Sequence, residues 1–250
     1  MKAEPQSLGW LLPDWPAPAQ VRAVMSSRLG GVSRAPYDSM NLATHVGDDP
    51  ADVQQNRQHL VEVLSLPAEP LWLNQVHGTR IVDVASDAEG TDADGSIARG
   101  PQRPCVVMTA DCLPVLICDR KGTQVAAVHA GWRGLVNGAI EAAIGKFDAP
   151  ADELLVWLGV AIGPQHFEVG NEVREAFMQY DAGASEAFVA TTAGKWLADI
   201  YRLAHRRLAM LGISAVYGGG GCSYADETHY YSYRRDRDCG RMAALIWLEQ

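Results

Sequence analysis

Two apolar runs, LPVLICD and TQVAAVHA, flank the turn-forming Arg120-Lys121-Gly122-Thr123, and this pattern predicts an antiparallel hairpin. A second hairpin is predicted over LWLNQVHGTRIVDVA, with Gly78-Thr79 at its bend and His77 at the end of its first strand. Val53, Leu60, Val63 and Leu64 recur at helical spacing after Asp48, Asp49 and Pro50, which supply helix-start chemistry. KWLADIYRLAHRRLAMLGI predicts the clearest helix, with Leu197, Ile200, Tyr201, Ala204, Leu208 and Leu211 on one face and His205 and the neighbouring arginines on the solvated face. Further strands are expected in VRAVM, ELLVWLGV and the terminal MAALIWL, and further helices from near Trp132 and over NEVREAFMQY. The chain shows no internal repeat, long linker or composition shift. It is therefore expected to form one α+β domain over residues 1–250, with residues 1–20 as a loosely ordered leader.

Composition narrows the class. With 250 residues and 48% apolar content the chain has ample material for a core. The opening MKAEPQSLGWLLPDWPAP lacks an uninterrupted apolar stretch, and no later run approaches the roughly 18 apolar residues of a membrane span. A cytoplasmic protein with no membrane partner is expected. A formal net charge of −9, with basic residues concentrated only in YRRDRDCGR, argues against a nucleic-acid partner. The odd set of five cysteines contains no CxxC pair and reads as reduced thiols. Cys118, inside LPVLICD, reads as a plain core residue.

The chemistry concentrates around the first hairpin. Folding the chain about the midpoint of Arg120 and Lys121 sets Cys112 opposite His129, and opposed residues have Cβ atoms about 4.5–5.5 Å apart. A thiolate and an imidazole so placed suit either one metal ion or a nucleophile and its base. His77, at a strand end, is a favourable further ligand. The Gly-rich loop carrying Arg28, Asn41, His45 and Asp48 has the mixture of loops that line sites. Gly131 and Gly134, at a helix start, leave N–H groups for an anion, with Arg133 as a clamp. Asp92 and Asp94 do not form a calcium loop, because the twelve-residue pattern with a closing Glu is missing.

Taken together, LNQVHGTRI, ADGSIA, TADCLPVLICD, AAVHAGWRG, AIGPQHFEVG and SYRRDRDCGRMAALIWL resemble the YfiH-type family of bacterial laccase-domain proteins, in the right order from about Ser26 to Leu248. The resemblance implies a single-domain four-layer α/β/β/α sandwich with mixed sheets, related to cysteine hydrolases. It also implies a metal site whose ligands fall on His77, Cys112 and His129. Its members carry several attributed activities: copper polyphenol oxidation, zinc-associated phosphorolysis of adenosine, inosine or methylthioadenosine with adenosine deamination, and amidase editing of peptidoglycan precursors.

Residue chemistry weighs these activities differently. Seven histidines without a His-x-His pair do not suit a multicopper oxidase of the usual kind. A single His2Cys copper of the blue type would want an axial Met, for which Met108 is the near candidate. Two imidazoles and a thiolate with an open fourth position match catalytic zinc. The expected metal is therefore zinc, with copper as the alternative, and the resemblance implies an enzyme that phosphorolyses purine nucleosides and deaminates adenosine. Cys112, His129 and His77 are the expected catalytic residues, Arg133 the phosphate contact, and Asn41, Gln75 and Arg28 the ribose or base contacts. A cysteine- or metal-dependent amidase built on Cys112 and acting in peptidoglycan precursor editing, or a single-site copper polyphenol oxidase, is the alternative.

Overall fold

The computed structural model describes residues 4–101 and 103–249. Its elements run β1 (Val21–Met25), α1 (Pro50–Leu64), β2 (Ile81–Asp83), β3 (Gly95–Arg99), β4 (Cys105–Thr109), β5 (Leu113–Asp119) and β6 (Gln124–Ala130). There follow α2 (Trp132–Asn137), α3 (Ala139–Ile144), β7 (Leu154–Leu158), β8 (Glu168–Gly170), α4 (Asn171–Tyr180), β9 (Phe188–Ala190) and β10 (Lys195–Ala198). The chain ends in α5 (Ile200–Met210), β11 (Val216–Gly218), α6 (Tyr233–Asp236) and β12 (Met242–Leu248).

Two sheets pack face to face between helices. The larger has the order β11-β7-β5-β6-β3-β2, with parallel pairs at both edges and antiparallel pairs within; the smaller is β1-β12-β4, all antiparallel. Both faces of the larger sheet are covered, which is why β5 and β6 read as continuous apolar runs and are buried throughout. Val115, Ile117, Ala126, Val128 and Val156 meet Leu135, Ile140, Leu203 and Leu208 of the helical layer. Leu116, Cys118, Val125 and Trp157 meet Val107, Ala244 and Ile246 of the smaller sheet. The far side of that sheet buries Val24, Val106 and Leu245 against Leu60 of α1. The result is the four-layer α/β/β/α sandwich, with the larger of its two sheets mixed. A small third sheet, β8-β10-β9, is added beside it.

Four details differ from the sequence expectation. The first hairpin pairs Pro114 with His129 and Leu113 with Ala130, a two-residue shift from the expected register. Asp119 causes it: its buried carboxylate accepts from Thr123 N, Thr123 Oγ1 and Gln124 N, fixing the turn, and Gly122 takes a left-handed φ of 66°. The slip is even, so the faces of the strands are preserved. The second expected hairpin does not form, because β2 pairs in parallel with β3, and the preceding segment makes only isolated bridges, Leu71 to Cys105 and Asn74 to Asp92. Lys195–Ala198 is a strand, and α5 starts at Ile200, where Asp199 accepts from Arg202 N as its N-cap. Arg207 is buried rather than solvated, donating to Glu141 Oε1 at 2.8 Å.

The leader, expected to be loose, packs along β1 over its described residues: Trp10 is buried and Leu11 bridges Met25. Residues 1–3 of it lie outside those described.

Candidate metal centre

Three chain segments deliver three donors to one place. His129 comes from the end of β6 and is buried there. Cys112 occupies the bend between β4 and β5, one residue before the ladder begins, so its thiol is half-buried. The preceding Asp111 sets that bend. Its backbone takes φ 90°, a rare value for a side-chain-bearing residue, and its carboxylate accepts from Ser223 Oγ at 2.6 Å and Arg234 N at 2.7 Å. His77 is exposed on the turn before β2, with φ 59°.

That turn is wrapped around Asp94, which is fully buried. Its carboxylate accepts from Val76 N (3.2 Å), His77 N (2.9 Å) and Gly78 N (2.6 Å). It also accepts from His129 Nδ1 at 2.8 Å. One carboxylate therefore fixes both histidines, and its hold on Nδ1 leaves Nε2 of His129 as the free ligand atom. Sequence reasoning weighed Asp94 only as a calcium ligand and missed this role. The signal available was its place in the ADGSIA motif.

The donor atoms of His77, Cys112 and His129 lie within 4.8 Å of one another, and Cys112 Sγ is 3.8 Å from His77 Nε2. Ligands about 2.0–2.3 Å from a tetrahedral ion are separated by roughly 3.3–3.8 Å; the Cys112–His77 pair is at the upper end of that range, and the set closes on a zinc-sized ion with side-chain shifts of about 1 Å. Gly131 closes the site from behind. A Cβ there would lie 2.9 Å from His77 Cδ2 and 3.0 Å from Cys112 Sγ. Among the described residues this is the one group of three or more such side chains able to hold an ion.

The three groups also tune one another. Burial pushes the Cys112 thiol up, but the charges and hydrogen bonds of His129 and His77 outweigh it and bring the thiol below its ordinary value. Burial alone would lower His129; the Cys112 thiolate and Asp94 raise it instead. Asp94 itself is raised by burial and, more strongly, lowered by the hydrogen bonds from His129, Gly78 and His77. The arrangement favours a thiolate, the form that binds metal or attacks an electrophile.

A cleft of about 340 Å³ opens onto the three donors, lined also by His45, Gln75, Met108, Tyr233 and Arg241. Of the expected substrate contacts only Gln75 reaches it, and its amide is engaged with the backbone of Met108 in both directions, at 2.7 and 2.8 Å. Asn41 is buried and holds Ala43, Asp48 and Arg241 N. Arg28 binds the Asp38 and Glu227 carbonyls and lies over the Tyr231 ring. Arg133 is exposed, with its guanidinium over the ring of Trp132, and does not line the cleft. Its helix, α2, is only six residues long. The residues missed at the cleft, Tyr233 and Arg241, come from SYRRDRDCGR, the one basic cluster in an acidic chain.

Comparison with known proteins places the chain in a family. The profile described as multi-copper polyphenol oxidoreductase laccase matches residues 22–249. A Pseudomonas aeruginosa protein named purine nucleoside phosphorylase is 54% identical, over 96% of this chain and 98% of its own. The Escherichia coli protein named purine nucleoside phosphorylase YfiH is 50% identical, over 95% and 98%. Among solved structures, a Neisseria meningitidis protein of the DUF152 family superposes with a TM-score of 0.93 at 47% identity, covering 96% of this chain and 99% of that one. YlmD of Geobacillus stearothermophilus superposes at 0.88 with 29% identity and 96% coverage of both. The chain belongs to the YfiH-type laccase-domain family.

Proposed function

We propose that the protein is a cytoplasmic zinc-dependent purine nucleoside phosphorylase that also deaminates adenosine. The observation that carries this reading is the convergence of His77, Cys112 and His129 at the floor of a cleft whose wall holds Arg241 and Tyr233. The names of the relatives supply the substrate class. In phosphorolysis a phosphate oxygen attacks ribose C1′, the bond to the purine breaks, and the purine leaves with a proton. Arg241 supplies positive charge for the phosphate. Its Nη1 is held by the carbonyls of Cys239 and Gly240, so the group is fixed in place. Tyr233, 48% exposed and flanked by the guanidiniums of Arg237 and Arg241, offers a ring face to the purine. Burial, then Arg241 and Arg57, lower His45 below the ordinary imidazole value, which keeps it neutral near pH 7 and able to relay a proton. His77, Cys112 and His129 would hold the zinc, which when bound would supply a Lewis acid and, for deamination, the means to activate water near neutral pH.

A second reading has its own support. Cys112, His129 and Asp94 form a nucleophile, base and orienting acid in sequence, which is the constellation of a cysteine amidase. Inosine with phosphate, adenosine, and a dipeptide amide, each assayed with and without chelator, separate the two. The zinc reading expects ribose phosphate and free base that vanish on chelation. Dipeptide cleavage that survives chelation, without phosphate-dependent nucleoside turnover, would establish the amidase instead.

A further inference from the structure

A second thiol and imidazole pair lies outside the cleft. Cys222 Sγ is 3.5 Å from His166 Nδ1 and accepts the backbone N–H groups of Gly163 at 3.2 Å and Ala225 at 3.4 Å. Gly163 is required for this approach, since a Cβ there would lie 3.0 Å from both Cβ and Sγ of Cys222. The imidazole is held in orientation by Tyr224, with ring centroids 4.5 Å apart and planes 18° from parallel. A nucleophile, a base within hydrogen-bond reach and a third group orienting the base is the pattern of an activated thiol. The two N–H groups add donors to any charge that develops on sulfur. Cys222 is half-buried, whereas Cys105, Cys118 and Cys239 are buried.

Cys222 lines a groove of about 500 Å³ that shares no lining residue with the metal cleft. Trp157, Leu158 and Val160 give it an apolar wall, and Asp14 and Asp226 give it negative charge. A neutral electrophile is therefore favoured over an anionic disulfide such as oxidised glutathione. We propose that Cys222 is a peroxide-reactive thiol that takes hydrogen peroxide or a small organic hydroperoxide. His166 takes the thiol proton, the sulfur attacks the terminal peroxide oxygen, and the S–O bond forms as the O–O bond breaks. The sulfur is oxidised to a sulfenic acid, and the peroxide is reduced to an alcohol or water that leaves with the proton from His166.

The test treats the full-length protein, with its metal as purified, with hydrogen peroxide, traps sulfenic acid with dimedone, and maps adducts by peptide mass spectrometry. Cys222 should label faster than N-acetylcysteine in the same mixture. His166→Asn should slow that labelling about tenfold, the loss of one charge-assisted hydrogen bond. Labelling of wild-type Cys222 no faster than N-acetylcysteine overturns the proposal, and so does an equal rate in a folded His166→Asn protein.

Discussion

At the scale of single residues, Asp94 accounts for most of the order in the candidate metal centre. It ties His77 through the backbone and His129 through Nδ1, so Asp94→Asn, which keeps the shape and loses the charge, should lower zinc affinity about 10–100-fold. Competition with a chromogenic chelator measures this, and unchanged affinity would show that the ligands are fixed by other contacts. The two cysteines of the first hairpin should behave in opposite ways. Cys112→Ala should abolish metal binding and nucleoside turnover with the fold retained. Cys118→Ala, inside a fully buried contact between the sheets, should keep both and lose on the order of 1 kcal/mol of stability. Equal losses of turnover in the two variants would mean that the hairpin faces are misassigned. The convergence of His77, Cys112 and His129 was legible in the sequence, whereas Asp94 was marked only by its place in ADGSIA, because a buried carboxylate serving two histidines has no spacing signature of its own.

At the scale of elements, the sequence was read correctly where one face or both faces of an element are apolar. β5, β6, β7, β12, α1 and α4 all lie where periodicity put them. It failed where a single polar side chain decides geometry. Asp119 moved the hairpin turn, Asp199 started α5 late, and Asp94 folded the His77 segment around itself instead of letting it pair. The junction of β6 and α2 yields a prediction of its own. Gly131 has φ −59°, a value any residue adopts, so Gly131→Ala introduces no backbone strain and acts only through its Cβ among the ligands. Overpacking of this kind costs roughly 1–3 kcal/mol, and here the cost should fall on metal occupancy. Reduced zinc content with a near-normal far-UV circular dichroism spectrum is expected. Full occupancy would show that the ligands move aside freely.

At the scale of the whole molecule, the four layers explain why the site lies where it does. The ends of β5 and β6 emerge from a sheet buried on both faces, and the turn at His77 and the C-terminal segment close over them. Asp111 links the Cys112 bend to that C-terminal segment through Ser223 and the start of α6, which carries Tyr233 to the cleft. This long-range closure is why Arg241 was hidden in the sequence and Arg133, next to the His129 motif, was favoured. The two arginines can be told apart. Arg241→Ala should lower phosphate-dependent turnover about 10–150-fold, the worth of a charge-assisted contact of about 1.5–3 kcal/mol, and should spare adenosine deamination. Arg133→Ala should leave both reactions close to wild type. The reverse pattern would return the phosphate to the start of α2. The central claim, that His77, Cys112 and His129 hold a zinc ion, is tested most directly by elemental analysis of wild-type and Cys112→Ala protein purified without added metal. About one zinc per chain in the wild type and none in the variant is the predicted result. Copper in place of zinc, no metal in the wild type, or full zinc content in Cys112→Ala would contradict it.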